Sequence, residues 1–259
     1  NLTQILQVYY SPLLNTTLAE AYLGPSVPQY APFYNPDNLP MYSYNPNLAI
    51  EYLNESGWEC NFYTVLPNGT IIGNPSGQKL PTLPLTVIPP VTPYLEAILE
   101  IITQDLSQIG IPVSITYATT AEADTWVTPE ATPILLYLGW VPDWPDPFFQ
   151  LIYPVLNVAN GGILGNEAWF NNTIVNELTL KAIFTTNTTE LMQMLAEIYN
   201  ITYQEAPYYW MPWPEYYMIV QPYVKGIVWV WNYYIYYNTL YYQPITLNII
   251  TYSNGTRVV

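Results

Sequence analysis

Histidine is absent from the 259 residues. That removes the commonest proton carrier of enzymes near neutral pH, the Ser-His-Asp and Cys-His triads, and every metal site built on imidazole. Basic residues are almost as scarce. Lys79, Lys181, Lys225 and Arg257 face nineteen carboxylates, for a formal charge of −15. Nucleic acid binding needs a cationic stripe, and four scattered residues cannot assemble one. The lone Cys60 excludes an internal disulfide. It is either a free thiol, buried or at the surface, or it pairs with another chain or a further part of the same protein. No run of eighteen apolar residues free of proline or charge occurs, and no signal peptide opens the chain. The expectation is a processed piece, or a protein whose export and anchoring segments lie elsewhere.

What is present is apolar and aromatic. Hydrophobic residues make up 51 % and charged residues 9 %, with 27 tyrosines and 9 tryptophans. So apolar a chain collapses, which excludes global disorder. Its surface polarity has to come from Asn, Thr, Ser, Gln and tyrosine hydroxyls. Asn-x-Ser/Thr occurs at Asn1, Asn15, Asn54, Asn68, Asn171, Asn187, Asn200 and Asn254. That density exceeds what composition alone gives and points to a secreted glycoprotein carrying N-linked glycans. Depleted lysine and histidine point to acidic surroundings, where a charge-poor surface avoids self-repulsion once carboxylates are protonated.

Along the chain, Leu2–Leu23 shows weak helical periodicity until Pro12, and the prolines between Pro25 and Tyr44 predict a loop. Asn45 caps a helix with Pro46 in its first turn, Leu48, Ala49, Tyr52 and Leu53 on its apolar face, and Gly57 as its stop. Trp58–Leu80 reads as a hairpin turning at Pro67-Asn68-Gly69, with a second turn near Gly73–Gly77. A strand at Leu83–Ile88, a helix from Thr92-Pro93 to Gly110 and a strand at Val113–Tyr117 make a βαβ unit. This part is therefore α/β with parallel pairing. Glu122–Pro133 is loop or irregular helix, and Phe148–Phe170 reads as mostly irregular. Helices are expected over Thr173–Phe184 and Asn187–Glu205, the latter with Leu191, Leu195, Ile198 and Thr202 inward. Asn187 and Glu190 resemble a capping box, with which a glycan on Asn187 would compete. Tyr208–Pro212, Tyr216–Val220 and the aromatic run Ile227–Tyr242 look strand-like and need a partner surface.

One stretch concentrates the features of a ligand site. Leu135–Leu138 is a short apolar run of the kind a sheet buries on both faces. It breaks at Gly139 into Trp140-Val141-Pro142-Asp143-Trp144-Pro145-Asp146-Pro147, a loop stiffened by three prolines and carrying two tryptophans and two carboxylates. A strand ending in a rigid aromatic and acidic loop is where an α/β protein places a ligand.

The order of these features resembles the C-terminal half of extracellular solute-binding proteins of the peptide/nickel/opine ABC-importer family. The matching residues run from the Pro-rich loop into Tyr44-Asn45-Pro46-Asn47-Leu48-Ala49 and Glu55-Ser56-Gly57-Trp58. They continue through Leu106-Ser107-Gln108-Ile109-Gly110-Ile111-Pro112-Val113 and Gly139–Pro147 to Glu205-Ala206-Pro207-Tyr208 and Val224-Lys225-Gly226. Together they cover about Leu18 to Tyr242.

The resemblance implies one lobe of a two-lobed, type II periplasmic-binding-protein-like clamshell. Residues 1–223 would be the second lobe, and 224–259 the cross-over strands and tail returning to a first lobe that is missing here. It implies no enzyme activity and no cofactor. It also implies capture of oligopeptides or oligosaccharides and delivery to a membrane ABC permease. The expected place is the cell surface, tethered through segments outside this chain, and the expected source an acidophilic archaeon. In peptide-binding relatives the aspartate of the Gly-Trp-x-x-Asp loop pairs with the ligand ammonium, which places that role on Asp143. Trp140 and Trp144 would wall the pocket. Tyr137 stands where some peptide-binding relatives carry an arginine, so a neutral, hydroxyl-rich ligand suits the pocket about as well as a peptide. Near an external pH of about 3 an unperturbed aspartate is mostly protonated, and peptide capture would then need Asp143 to hold a depressed pKa. Asp146 reads as a turn residue before Pro147.

Two other classes compete. A surface-layer or filament-associated glycoprotein could be built on such a half. A glycoside hydrolase would need Asp143 and Asp146 to face each other across a sugar, which three residues on a proline-locked loop do not favour.

Overall fold

The computed structural model describes residues 1–135, 142–163, 165–215, 218–228, 236–244, 250–251 and 257–258. Contacts divide the chain into two units. One comprises Asn1–Pro142 with Asp146–Glu215, the other Asp143–Pro145 with Tyr216–Val259.

The first unit opens with helix α1 (Leu2–Val8) and a small antiparallel pair, β1 (Tyr10–Ser11) with β2 (Thr16–Thr17). β3 (Ala19–Glu20) follows, and then the proline-rich loop, whose one helical turn is the 3-10 segment Pro28–Tyr30. α2 (Pro46–Glu59) starts as the sequence predicts: Asn45 accepts from the Leu48 amide and Pro46 takes the first turn, where its missing N–H costs nothing.

Its burial corrects the expected face and stop. Leu48 and Tyr52 are 41 % and 62 % exposed, and the covered side runs instead through Ala49, Ile50, Leu53, Asn54 and Gly57. Gly57 does not end the helix. It lies inside it, where a Cβ would sit 2.5 Å from the Gly73 Cα. The glycine is therefore a contact surface, letting α2 lie against the hairpin of β4 (Phe62–Val65) and β5 (Ile71–Gly73). Asn54 ties the two together by accepting from the Gly73 amide at 3.0 Å. β6 (Gln78–Lys79) adds to β4 in parallel.

β7 (Leu83–Val87), α3 (Pro93–Gln108) and β8 (Val113–Tyr117) form the expected βαβ unit. β7 and β8 pair in parallel from Leu83↔Val113 to Val87↔Tyr117. Leu95, Ile98 and Leu99 of α3 are buried, and Leu95 and Leu99 close a small core with Leu85 and Val87. A turn of helix, α4 (Thr120–Ala123), carries a complete capping box between Thr119 and Glu122. β9 (Ile134–Leu135) joins the other side of β7, also in parallel. Ile134 is 49 % exposed and Leu135 half-buried, so this described part of the expected double-buried strand is only partly covered. Leu136 to Val141 lie outside the described residues.

The larger core is helical. Phe148–Ile152 forms a π-helical turn that runs into α5 (Tyr153–Leu156), and Val158–Asn160 is a 3-10 turn, where the sequence suggests irregular chain. The prolines and glycines hid a compact helical turn whose Phe148, Ile152 and Leu156 are buried against α6 (Thr173–Ala182) and α7 (Thr188–Glu205). Leu191, Leu195, Ile198 and Thr202 of α7 point inward as predicted. Asn187 caps α7 through its Oδ1, which accepts from the Thr189 and Glu190 amides. The Glu190 carboxylate pairs with Lys181 at 2.7 Å instead of returning to the cap, so the reciprocal box is not formed. A glycan on Asn187 would leave from Nδ2 and would not compete with that cap.

Tyr208–Pro212 is not a strand. Only β10 (Trp213–Pro214) pairs here, antiparallel to β3. Met218–Val220 is likewise not strand, and Tyr216 and Tyr217 lie outside the described residues. In the second unit β11 (Val224–Lys225) pairs with β12 (Tyr241–Tyr242), and β13 (Ile250–Thr251) with β14 (Arg257–Val258), both antiparallel. Of the aromatic run Ile227–Tyr242, residues 229–235 lie outside the described residues; in the described part Tyr237–Thr239 is a 3-10 turn rather than strand, and Tyr241–Tyr242 is the part that pairs.

Candidate functional site

Three parallel strands in the order β8-β7-β9 end on one side of their sheet, and the chain from β9 runs into the loop singled out in the sequence. Loops leaving the carboxyl ends of parallel strands are where such sheets hold ligands. Within the loop Asp143 is exposed and Trp144 is 47 % exposed. Tyr137 and Trp140, the other two expected ligand contacts, lie outside the described residues. Asp146 has a structural task, since its Oδ1 accepts from the Phe148 and Phe149 amides at 2.9 and 3.1 Å. It thereby caps the π-helical turn, as a turn residue would. That capping ties Asp146 to the backbone and does not suit the paired-carboxylate work a glycosidic bond would need.

A cluster that the sequence did not signal surrounds the turn Gly165–Phe170. Asn166 is fully buried. Its amide donates to the Leu156 and Phe170 carbonyls, and its Oδ1 accepts from the Phe170 amide. The Tyr208 hydroxyl accepts from the Ala168 amide at 3.1 Å and faces the Val155 carbonyl and Asn166 Oδ1 as acceptors. Trp169 holds a left-handed backbone (φ 51°), with its indole against Gly161 and its Nε1 donating to Thr132. Inside this turn burial pushes the Glu167 carboxyl up to about 8. Burial also raises the Tyr208 hydroxyl, to which the neighbouring carboxyl adds. Glu167, half-buried, thus keeps its proton well above the usual carboxylate range. Only the tertiary burial makes it so, and a lone glutamate in an Asn-rich turn carries no sequence mark of it.

The sequon asparagines sort by environment. Asn15, Asn68, Asn171, Asn187 and Asn200 are exposed, Asn1 and Asn54 are partly buried, and Asn254 lies outside the described residues. Cys60 is exposed. Among the described residues no group of three or more His, Cys, Asp or Glu side chains could hold a metal ion, and no helix is long and apolar enough to cross a membrane.

The fold matches solved structures of solute-binding proteins. The ABC transporter-associated periplasmic binding protein DppA of Helicobacter pylori, in complex with the peptide STSA, aligns with a TM-score of 0.62 at 20 % identity. That alignment covers 87 % of this chain and 38 % of the other. The oligopeptide-binding protein AppA of Bacillus subtilis, in complex with a nonapeptide, gives 0.61 at 16 % identity over 93 % and 45 %. The mannohexaose-bound oligopeptide-binding protein of Thermotoga maritima gives 0.57 at 20 % identity over 83 % and 38 %. The chain thus spans about two fifths of the length of these structures. Its mixed α/β fold is that of part of a type II periplasmic binding protein. No curated protein sequence matches the chain. The family described as bacterial extracellular solute-binding proteins, family 5 Middle, matches residues 4–162, more than half of the chain. The two relatives solved with peptides are described as binding proteins. By that match the chain belongs to the family 5 extracellular solute-binding proteins.

Proposed function

We propose that this chain is most of the second lobe of a two-lobed binding protein that captures a solute outside the cell and delivers it to an ABC permease. Residues 1–223 form that lobe, and 224–259 cross back toward a first lobe supplied by further polypeptide. The observation that carries this reading is the family match over residues 4–162, joined to a fold that fills about two fifths of whole relatives. The protein is held at the cell surface through other segments and carries glycans at exposed sequons. Its composition suits an acidophilic archaeon.

The ligand is an oligopeptide or an oligosaccharide. Relatives of both kinds support the pair, one solved with a nonapeptide and one with mannohexaose. Asp143 is the ammonium partner in the peptide case, because a carboxylate flanked by Pro142 and Pro145 loses little freedom on binding. Trp140 and Trp144 supply stacking surface, and Tyr137 supplies a hydroxyl in place of a cation.

Calorimetric titration of the full-length protein with a dipeptide and with a disaccharide, before and after Asp143→Asn, tests the assignment. Peptide recognition through the ammonium should fall at least about tenfold, the scale of one lost charge-assisted hydrogen bond, while disaccharide binding holds. Equal peptide binding by both forms would remove Asp143 from the site. Native mass spectrometry of protein from its source reports the missing lobe, the glycan mass and any retained ligand.

A further inference from the structure

The turn Gly165–Phe170 bonds to two stretches of chain that lie far apart in sequence. Toward one, the Trp169 indole Nε1 donates to the Thr132 hydroxyl at 2.9 Å, just before β9. Toward the other, Asn166 Nδ2 donates to the Leu156 carbonyl at the end of α5. The Tyr208 hydroxyl joins that side, accepting from the Ala168 amide at 3.1 Å and facing the Val155 carbonyl as an acceptor at 3.1 Å. The Trp169 amide donates to the Asn166 carbonyl at 3.1 Å and closes the turn, which keeps those two Cα atoms within about 7 Å. Thr132 and the end of α5 are thus held by neighbours in one short turn.

Packing fixes that geometry. A Cβ on Gly161 would run into the Trp169 ring, so only glycine lets the indole lie there. A Cβ on Gly165 would meet the Asn160 carbonyl oxygen and stand 3.0 Å from that of Pro154, so the turn lies directly on α5. Trp169 adopts a left-handed backbone (φ 51°), which a bulky side chain does only where its surroundings enforce it. All these residues belong to the first unit, so the bonds need nothing from polypeptide outside this chain.

Both held stretches lead to the loop that carries Asp143. Thr132 runs into β9 on the way in. On the way out, Asp146 caps the π-helical turn that continues into α5. Fixing both ends of a connecting segment in advance lowers the entropy it has left to lose on binding. We infer that the Gly165–Phe170 turn is a tie that positions this loop, with Trp169, Tyr208 and Glu167 as positioning residues for solute capture. The role in capture rests on the solute-binding reading; the tie between β9 and α5 does not.

Glu167 makes the tie respond to pH. The Tyr208 hydroxyl is the titratable group set against it, and α5 carries Tyr153. Glu205, at the end of α7, accepts from the Asn172 side chain. Glu130 is exposed before Thr132, and α6 carries Glu177, exposed, and Lys181, which pairs with Glu190. None of these brings a positive charge to Glu167. Burial holds its carboxyl up at about 8, against an ordinary 4.5 once the turn opens to water. Opening therefore releases a proton between those values. The tie is firmest below about pH 4.5 and weakens as pH climbs to about 8.

Hydrogen exchange read by mass spectrometry, on the full-length protein without ligand, tests the tie itself. Trp169→Phe keeps a ring and loses the Nε1 donor, Thr132→Val takes away the acceptor instead, and Tyr208→Phe removes the hydroxyl on the α5 side. Each should speed exchange severalfold at both β9 and α5, because one turn holds the two. Calorimetry with a dipeptide and a disaccharide tests the role in capture. Trp169→Phe and Thr132→Val should each weaken binding about fivefold, the scale of one net hydrogen bond, in protein that circular dichroism shows to be folded. Gly57→Ala, which strains α2 against its hairpin and does not touch the turn, should leave affinity unchanged. Wild-type affinity should fall severalfold from about pH 4.5 to about 8, while Glu167→Gln should keep the low-pH value throughout.

Faster exchange on one side alone would overturn the tie. Undiminished affinity in Trp169→Phe and Thr132→Val, or an equal loss in Gly57→Ala, would overturn its role in capture. A wild type that binds neither probe would instead strike at the solute-binding reading, and the exchange pattern would still uphold or overturn the tie.

Discussion

Burial of Glu167 beside the Tyr208 hydroxyl ties the stability of the fold to pH. Its carboxyl rises from the ordinary value of 4.5 to about 8 in the folded chain, because burial penalises the charge. Between these values the unfolded chain releases a proton that the folded chain keeps. The contribution is therefore fully present below about pH 4.5 and is lost progressively as pH climbs to about 8. The loss over that window is on the order of a few kcal/mol. Urea denaturation at pH 4.5 and pH 8 should show this fall, and Glu167→Gln should flatten it. An unchanged slope in the variant would assign the pH dependence elsewhere. This direction suits the acidic setting that the scarcity of lysine and histidine suggests.

Residue environments also sort the sequons. Asn68 sits at a hairpin tip, exposed, with its Oδ1 accepting from the Thr70 amide. Asn200 lies within α7. Its Nδ2 donates to Asp37 and to the Ala196 carbonyl, and the Thr202 of its sequon is buried. Glycopeptide mass spectrometry of protein from its source should find Asn68 occupied and Asn200 bare. A glycan on Asn200 would mean that modification precedes folding of α7.

Among the elements, the contact of α2 with its hairpin depends on two glycines. Gly57→Ala would place a methyl 2.5 Å from the Gly73 Cα and 2.8 Å from the Phe62 carbonyl. Backbone is on both sides, so the helix has to move. A cost of about 1–3 kcal/mol is expected, the range for overpacking, readable in thermal melts. The sequence marked Gly57 as a helix stop because glycine commonly ends helices, and periodicity alone could not see the strand that lies across it. For the same reason it put Leu48 and Tyr52 inside. The caps were legible, however. Asn45, Thr92 and Asn187 each accept from the first-turn amides of their helices, which needs only local geometry.

Over the full chain the fold and the candidate site depend on different residues. Leu195 is fully buried in the core that α5, α6 and α7 share, so Leu195→Ala should cost about 2–5 kcal/mol in denaturant unfolding. Asp143 is exposed and belongs to the second unit, so Asp143→Asn should change stability by less than about 0.5 kcal/mol. A large loss in the second variant would make Asp143 structural rather than functional.

Short-range patterns were enough for the capped helices and the parallel βαβ unit of Leu83–Tyr117. They also carried the order of motifs that places the chain among solute-binding proteins. Which side of each element is covered was beyond them, because burial depends on what packs there from far along the chain. Tertiary packing put Gly57 against Gly73 and turned Tyr52 and Trp58 outward beside three glutamates. It also enclosed Glu167 until its carboxyl holds a proton that water would otherwise take.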